Sequence, residues 1–220
     1  MVVAIDGPAG AGKSSTARGV AARLGYRYLD TGALYRALAL AVLRAGAGGK
    51  SPAKMVAAAR SADVHPEWRE GEMLVFLDGE EVSREIRAPE VTRLVSPLSA
   101  IQEVRDLLVQ IQRGAAHGGG VVVEGRDIGS VVLPDAEVKI FLTADLAERA
   151  RRRRLELAAS GVDLPQEEVE RQIAERDRRD SSRAVAPLVR AEDAVVVDTT
   201  SLGLEEQIEK IVHLVREVEG

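Results

Sequence analysis

The stretch Val2-Val3-Ala4-Ile5-Asp6-Gly7-Pro8-Ala9-Gly10-Ala11-Gly12-Lys13-Ser14 decides the fold. A short apolar run, Val2 to Asp6, is ended by a glycine loop, and the sequence from Lys13 to Leu24 has helical composition, so the order is strand, loop, helix. Gly7 to Ser14 satisfies G-x-x-x-x-G-K-[ST] at every position, directly after the strand and directly before the helix. In such a loop glycines let backbone N–H groups turn around phosphate oxygens, and the helix N-terminus adds partial positive charge. Lys13 would reach β and γ oxygens, and Ser14 would be a ligand of Mg²⁺. Gly7, Pro8, Ala9, Gly10, Ala11, Gly12, Lys13, Ser14 and Ser15 are therefore the expected ATP-binding segment.

Outward from this loop, strands are expected at Tyr26 to Leu29, Val121 to Val123, Val138 to Leu142 and Ala194 to Val197. Helices are expected at Gly32 to Leu43, Leu98 to Gln112, Leu146 to Leu157, Glu167 to Asp180 and Leu204 to Val218. Between Ala53 and Val95 the pattern changes. Met73 to Leu77 is strand-like, Asp78-Gly79 is a hairpin signal and Glu81-Val82 suits a returning strand, which together describe an antiparallel insert. Buried strands alternating with helices predict an α/β P-loop fold of three layers around a central parallel sheet, with ligands at the carboxyl ends of the strands.

Composition narrows the function. The chain has 220 residues, 45% of them hydrophobic, enough for one α/β domain with a small insert. A formal net charge of -5 argues against a general binder of nucleic acid or acidic membrane. Without cysteine there is no disulfide framework, thiolate nucleophile or Cys-based zinc site. No apolar run approaches the roughly 18 residues of a membrane span, and the N-terminus has no secretory pattern, so a cytoplasmic location is expected.

A phosphate loop alone leaves GTPases, ATPases and small-molecule kinases open, and arginines discriminate among them. Bringing ATP and a monophosphate together crowds about six formal negative charges, which planar guanidinium groups suit. Three clusters qualify. Arg36 ends Asp30-Thr31-Gly32-Ala33-Leu34-Tyr35-Arg36, in which Thr31 suits a helix cap or a sugar contact. Arg126 and Asp127 lie in Glu124-Gly125-Arg126-Asp127-Ile128-Gly129, just after a buried strand. Arg176, Asp180 and Arg183 fall at i, i+4 and i+7, one face of a helix. Taken singly, each arginine also suits a surface ion pair.

These segments, with Asp177 to Pro187 (DRRDSSRAVAP), resemble bacterial cytidylate kinases over essentially the whole chain. The resemblance implies a nucleoside-monophosphate kinase that moves the γ-phosphate of ATP to CMP or dCMP, with Mg²⁺. It implies a core of about residues 1–35, 97–143 and 184–220 and a monophosphate-binding insert of about 36–96. A helical LID of about 144–164 is followed by a helix to about 183. Thr31, Arg36, Ser96, Arg105, Arg126, Asp127, Arg176, Asp180 and Arg183 would line the CMP site. Arg36, Arg126 and Arg183 would hold the acceptor phosphate, and Arg176 and Asp180 would reach the sugar. Ser96, Arg105 and Asp127 would read cytosine, whose N4 amino donor suits a carboxylate acceptor where the O4 of uracil does not. Thr31 stands where many relatives have Ser and Glu124 where others have Asp, changes that keep the hydroxyl and the carboxylate.

The arginine-rich segment at Arg149 and Arg151 to Arg154 reads as LID rather than as a nucleic-acid patch, because the whole chain is acidic. Helical spacing lets Arg149 share a face with Arg152 or Arg153 over the triphosphate, and the rest are solvated or pair with Glu148 and Glu156. Catalysis would fall to Lys13, Arg126, Arg183, Arg149 and Arg153 without a general base, since the attacking phosphate oxygen is already anionic. His65, His117 and His213 are surface or structural. A cytoplasmic monomer acting on ATP and CMP or dCMP is expected, with no nucleic-acid or membrane partner. The competing expectations are a kinase for another monophosphate or for a compound such as shikimate, and a P-loop regulator or nucleic-acid-binding NTPase.

Overall fold

The computed structural model describes residues 1–159, 161–182 and 187–220. The chain divides into two compact units, Met1–Tyr26 with Val122–Gly220, and Arg27–Val121. A five-stranded sheet has the order β2-β6-β1-β7-β8, formed by β1 (Val2–Asp6), β2 (Arg27–Asp30), β6 (Val121–Glu124), β7 (Val138–Thr143) and β8 (Val195–Asp198). β7 runs parallel to both β1 and β8, as expected for strands joined through helices. Val3, Ala4 and Ile5 of β1 and Val121, Val122 and Val123 of β6 are all fully buried, which is why these strands read as unbroken apolar runs.

In the first unit, α1 (Lys13–Leu24) begins after Gly12, whose φ of 87° suits glycine, and ends at Gly25, also left-handed, whose N–H bonds to the Ala21 and Ala22 carbonyls. No side chain caps its N-terminus, which leaves the first-turn N–H groups to an anion. α6 (Leu146–Ala159) and α7 (Gln166–Ser181) share a small core of Ala150, Val169 and Ile173. α8 (Leu204–Glu219) closes the chain, and Gly19 of α1 leaves room for Ile208 of α8.

The second unit carries α2 (Thr31–Arg44), α3 (Pro52–Ser61), α4 (Pro89–Ser99) and α5 (Gln102–Ala116) around an antiparallel sheet of β3 (Val64–Arg69), β4 (Glu72–Leu77) and β5 (Glu80–Glu81). The expected hairpin at Asp78-Gly79 is present, with φ of 52° and 82° at the two positions. β3 was absent from the sequence reading because His65, Pro66 and Glu67 break the apolar pattern. It nonetheless pairs with β4 along its whole length, and Trp68 Nε1 donates to the Tyr28 carbonyl at 2.9 Å. The helix expected over Leu98 to Gln112 is two helices. Ile101, extended at φ −91° and ψ 119°, separates α4 from α5, and Pro97 in the last turn of α4 was the overlooked signal.

Among the described glycines Gly7 has the closest neighbour: its φ is 147°, and a Cβ there would stand 2.0 Å from the Leu142 carbonyl oxygen of β7. Gly7→Ala should destabilise the protein by roughly 3 kcal/mol or more, seen as a fall of about 6–12 °C in melting temperature. An unchanged melting curve would contradict this packing.

Candidate active site

Four carbonyls along the glycine loop find donors from different parts of the first unit. The Gly7 carbonyl accepts from Arg126 Nη1 at 3.1 Å and the Pro8 carbonyl from Lys13 Nζ at 2.8 Å. The Ala9 carbonyl accepts from Arg149 Nη1 at 3.0 Å, and the Ala11 carbonyl lies 3.3 Å from the Thr199 hydroxyl. The carboxylate of Asp177 accepts from Ala9 N–H at 3.4 Å and from Arg149 Nη1 at 2.5 Å. Ser14 Oγ donates to Glu124 Oε1 at 2.7 Å, which sets a hydroxyl beside a carboxylate at the carboxyl end of β6.

Lys13 is only 7% exposed. Burial, helped by the nearby Arg126 guanidinium and opposed by the Glu124 carboxylate, pushes its ammonium well below the ordinary lysine range. Such a cation favours an incoming polyanion that restores its charge. Beside it, Arg126 Nε donates to Asp180 Oδ2 at 3.1 Å, and Arg176 Nε stands 3.9 Å from the same oxygen. Asp180 is 2% exposed, so its charge is matched where water cannot screen it. Asp127 is also buried. Lys13, Arg126, Asp180 and Arg176 are therefore brought together around the loop, with Arg149 on its far carbonyl. Arg183 lies outside the described residues.

Of the remaining α6 arginines, Arg152 turns toward the loop and Arg153 does not. Arg152 bonds Glu148 and both the hydroxyl and the carbonyl of Thr199, at 2.8, 3.0 and 2.6 Å. Arg153 pairs with Glu156 and is half exposed. Arg151 and Arg152 together hold the Glu148 carboxyl down to about 2, Arg151 contributing most. Asp177 and Thr199 were given no role by the sequence reading. Asp177 lay inside the DRRDSSRAVAP stretch, and Thr199 follows β8 at the carboxyl edge of the sheet, where a polar side chain is a signal.

In the second unit, Thr31 is buried at the start of α2, but the capping acceptor is Asp30, whose Oδ1 takes the Ala33 N–H at 3.0 Å. Arg36 follows one turn later on the same helix. Arg105 of α5 is 4% exposed and donates to the Tyr35 hydroxyl at 3.0 Å. Ser96 sits in the last turns of α4, where its carbonyl accepts from Ser99 Oγ at 3.0 Å.

Residues 3–217 match the family model for cytidylate kinase. The chain belongs to the cytidylate kinase family. It is 51% identical over 212 residues to the cytidylate kinase of Pelotomaculum thermopropionicum, covering 96% of this chain and 93% of that one. It is 50% identical to that of Caldanaerobacter subterraneus subsp. tengcongensis, covering 97% of this chain and 94% of the other, and 50% identical to that of Geobacter sp. (strain M21), covering 99% and 93%.

Thr199, fully buried, accepts from Arg152 while its single hydroxyl proton serves either the Ala11 or the Thr143 carbonyl. Thr199→Val keeps the shape and removes these bonds, so it should cost about 1–3 kcal/mol. A lower midpoint of urea unfolding at constant slope would register the loss, and an unchanged midpoint would contradict the role given to this hydroxyl.

Proposed function

We propose that this protein transfers the γ-phosphoryl group of ATP to CMP or dCMP, yielding CDP or dCDP and ADP. The observation that carries the reading is the anchoring of Arg126. Its guanidinium bonds the Gly7 carbonyl at the start of the phosphate loop and the buried Asp180 carboxylate. An arginine suited to an acceptor phosphate is thereby fixed at the edge of the donor cradle.

In this reading Gly7 to Ser15 hold the triphosphate, and Lys13 neutralises charge at the group in transfer. An anionic oxygen of the acceptor phosphate attacks in line, so no side chain has to remove a proton. Arg126 and Arg183 steady the acceptor phosphate, and Arg176 and Asp180 lie toward its sugar. Asp127 accepts from the cytosine amino group. Thr31, Arg36, Ser96 and Arg105 of the second unit keep the acceptor-side roles that the resemblance implies. The LID assigned to residues 144–164 supplies Arg149 to the phosphates. Arg152, already turned to the loop, is a nearer second cation than the surface-paired Arg153.

Mg²⁺ is the cation this chemistry calls for. The Ser14 hydroxyl and the Glu124 carboxylate, 2.7 Å apart, are hard oxygen donors that fit it. When bound, the ion would draw charge from the β- and γ-phosphate oxygens. The reading includes a cytoplasmic monomer with small nucleotides as its partners rather than nucleic acid. Among the described residues no helix is long and apolar enough to cross a membrane.

ADP release, coupled to an indicator reaction with ATP and Mg²⁺, should be fast with CMP and dCMP and slow with UMP, AMP, GMP and shikimate. Lys13→Met should lower kcat with CMP by about 10²–10³-fold, the scale of losing one charge-stabilising donor. Turnover without any monophosphate, or equal turnover with all of them, would refute the acceptor assignment.

A further inference from the structure

β1 ends in a buried carboxylate to which the chemistry above gives no task. Asp6 is 5% exposed. Its Oδ1 accepts the Ile128 N–H at 2.8 Å and its Oδ2 accepts the Gly129 N–H at 2.8 Å. On either side of Asp6 the chain makes two more bonds to the same loop. The Ile5 carbonyl accepts the Gly125 N–H at 3.0 Å, and the Gly7 carbonyl accepts from Arg126 at 3.1 Å. Three successive residues at the mouth of the phosphate loop therefore grip both ends of the Arg126-Asp127 dipeptide.

We infer that Asp6 is a positioning residue for the acceptor nucleotide, setting through the Ile128 and Gly129 N–H groups where Arg126 and Asp127 stand. The inference rests on the reading that those two side chains meet the acceptor.

A role in stability alone does not account for a carboxylate here. Burial pushes the Asp6 carboxyl up from 3.8 to about 6, against the pull of the Gly129 and Ile128 N–H groups and of Lys13, while Asp127 adds repulsion. The folded state therefore binds the Asp6 proton more readily than the unfolded state. The resulting destabilisation grows as pH rises from about 4 to about 6 and is complete above that. At neutral pH an ionised Asp6 works against folding, yet it is the ionised form that offers two full acceptors. Asparagine has nearly the same shape, but it offers one acceptor and turns an amino group toward the second N–H, which shifts the loop without burying a charge.

Asp6→Asn in the full chain tests the inference through three readings: steady-state kinetics with CMP at saturating ATP, affinity for a non-hydrolysable ATP analogue by calorimetry without CMP, and melting temperature. The expected result is a fall of about 10–100-fold in kcat/KM for CMP, the scale of a lost hydrogen bond to a charged group. Analogue affinity should stay within about threefold and the melting temperature should be unchanged or higher. An unchanged kcat/KM overturns the inference. So does an equal loss of CMP and analogue binding, with or without a lower melting temperature, because it would assign Asp6 to the donor loop or to the fold. Wild-type protein in the same assay separates the two layers. If it fails to turn over CMP, the functional reading is lost; if it turns over CMP and the variant matches it, only the role of Asp6 is lost.

Discussion

A phosphate loop commits its backbone N–H groups to an anion, and the carbonyls of the same peptides must then be satisfied by the protein. Much of the first unit answers that constraint. The loop carbonyls draw Arg126 from the segment after β6, Lys13 from α1, Arg149 from α6 and Thr199 from beyond β8. Elements distant in sequence are fastened to one short turn, and three of the four groups that fasten them, Arg126, Lys13 and Arg149, are cations. Architecture and charge are hence hard to separate: a change in any of these three disturbs the cradle as well as the charge around it.

The same arrangement explains the electrostatics. Buried Lys13 feels the Arg126 guanidinium, and the Glu124 and Asp6 carboxylates oppose that repulsion while Asp180 pairs with Arg126. A bound polyanion would add negative charge beside Lys13 and so favour its ammonium form. The contacts of Lys13 with the Pro8 carbonyl and of Arg149 with Asp177 hold both cations in place at the loop. Preorganisation of this kind lowers the reorganisation that transfer must wait for.

How much the sequence disclosed follows from the range of each signal. The strand-loop-helix at Val2 to Leu24 was legible because its chemistry is contiguous: buried apolar strand, glycines of special φ, Lys and Ser at fixed spacing. The Asp78-Gly79 turn was legible for the same reason. β3 was not, because its strand character comes from pairing with β4 and from the Trp68 bond rather than from its own pattern. The boundary at Ile101 was missed where local helical composition continued across an extended residue. Helical spacing leaves open whether Arg152 or Arg153 shares the face of Arg149, and the bond that turns Arg152 toward the loop comes from Thr199, 47 residues further along the chain. Asp6 was passed over as the last residue of a strand, since its partners, Ile128 and Gly129, are backbone groups that no side-chain motif reports.

A kinase of this family must direct a phosphoryl group to another phosphate and not to water. The most direct measurement follows the label from [γ-³²P]ATP in the presence of CMP and Mg²⁺. Label is expected in the β-phosphate of CDP, with little released as inorganic phosphate. Label recovered as inorganic phosphate at a rate independent of CMP would contradict it.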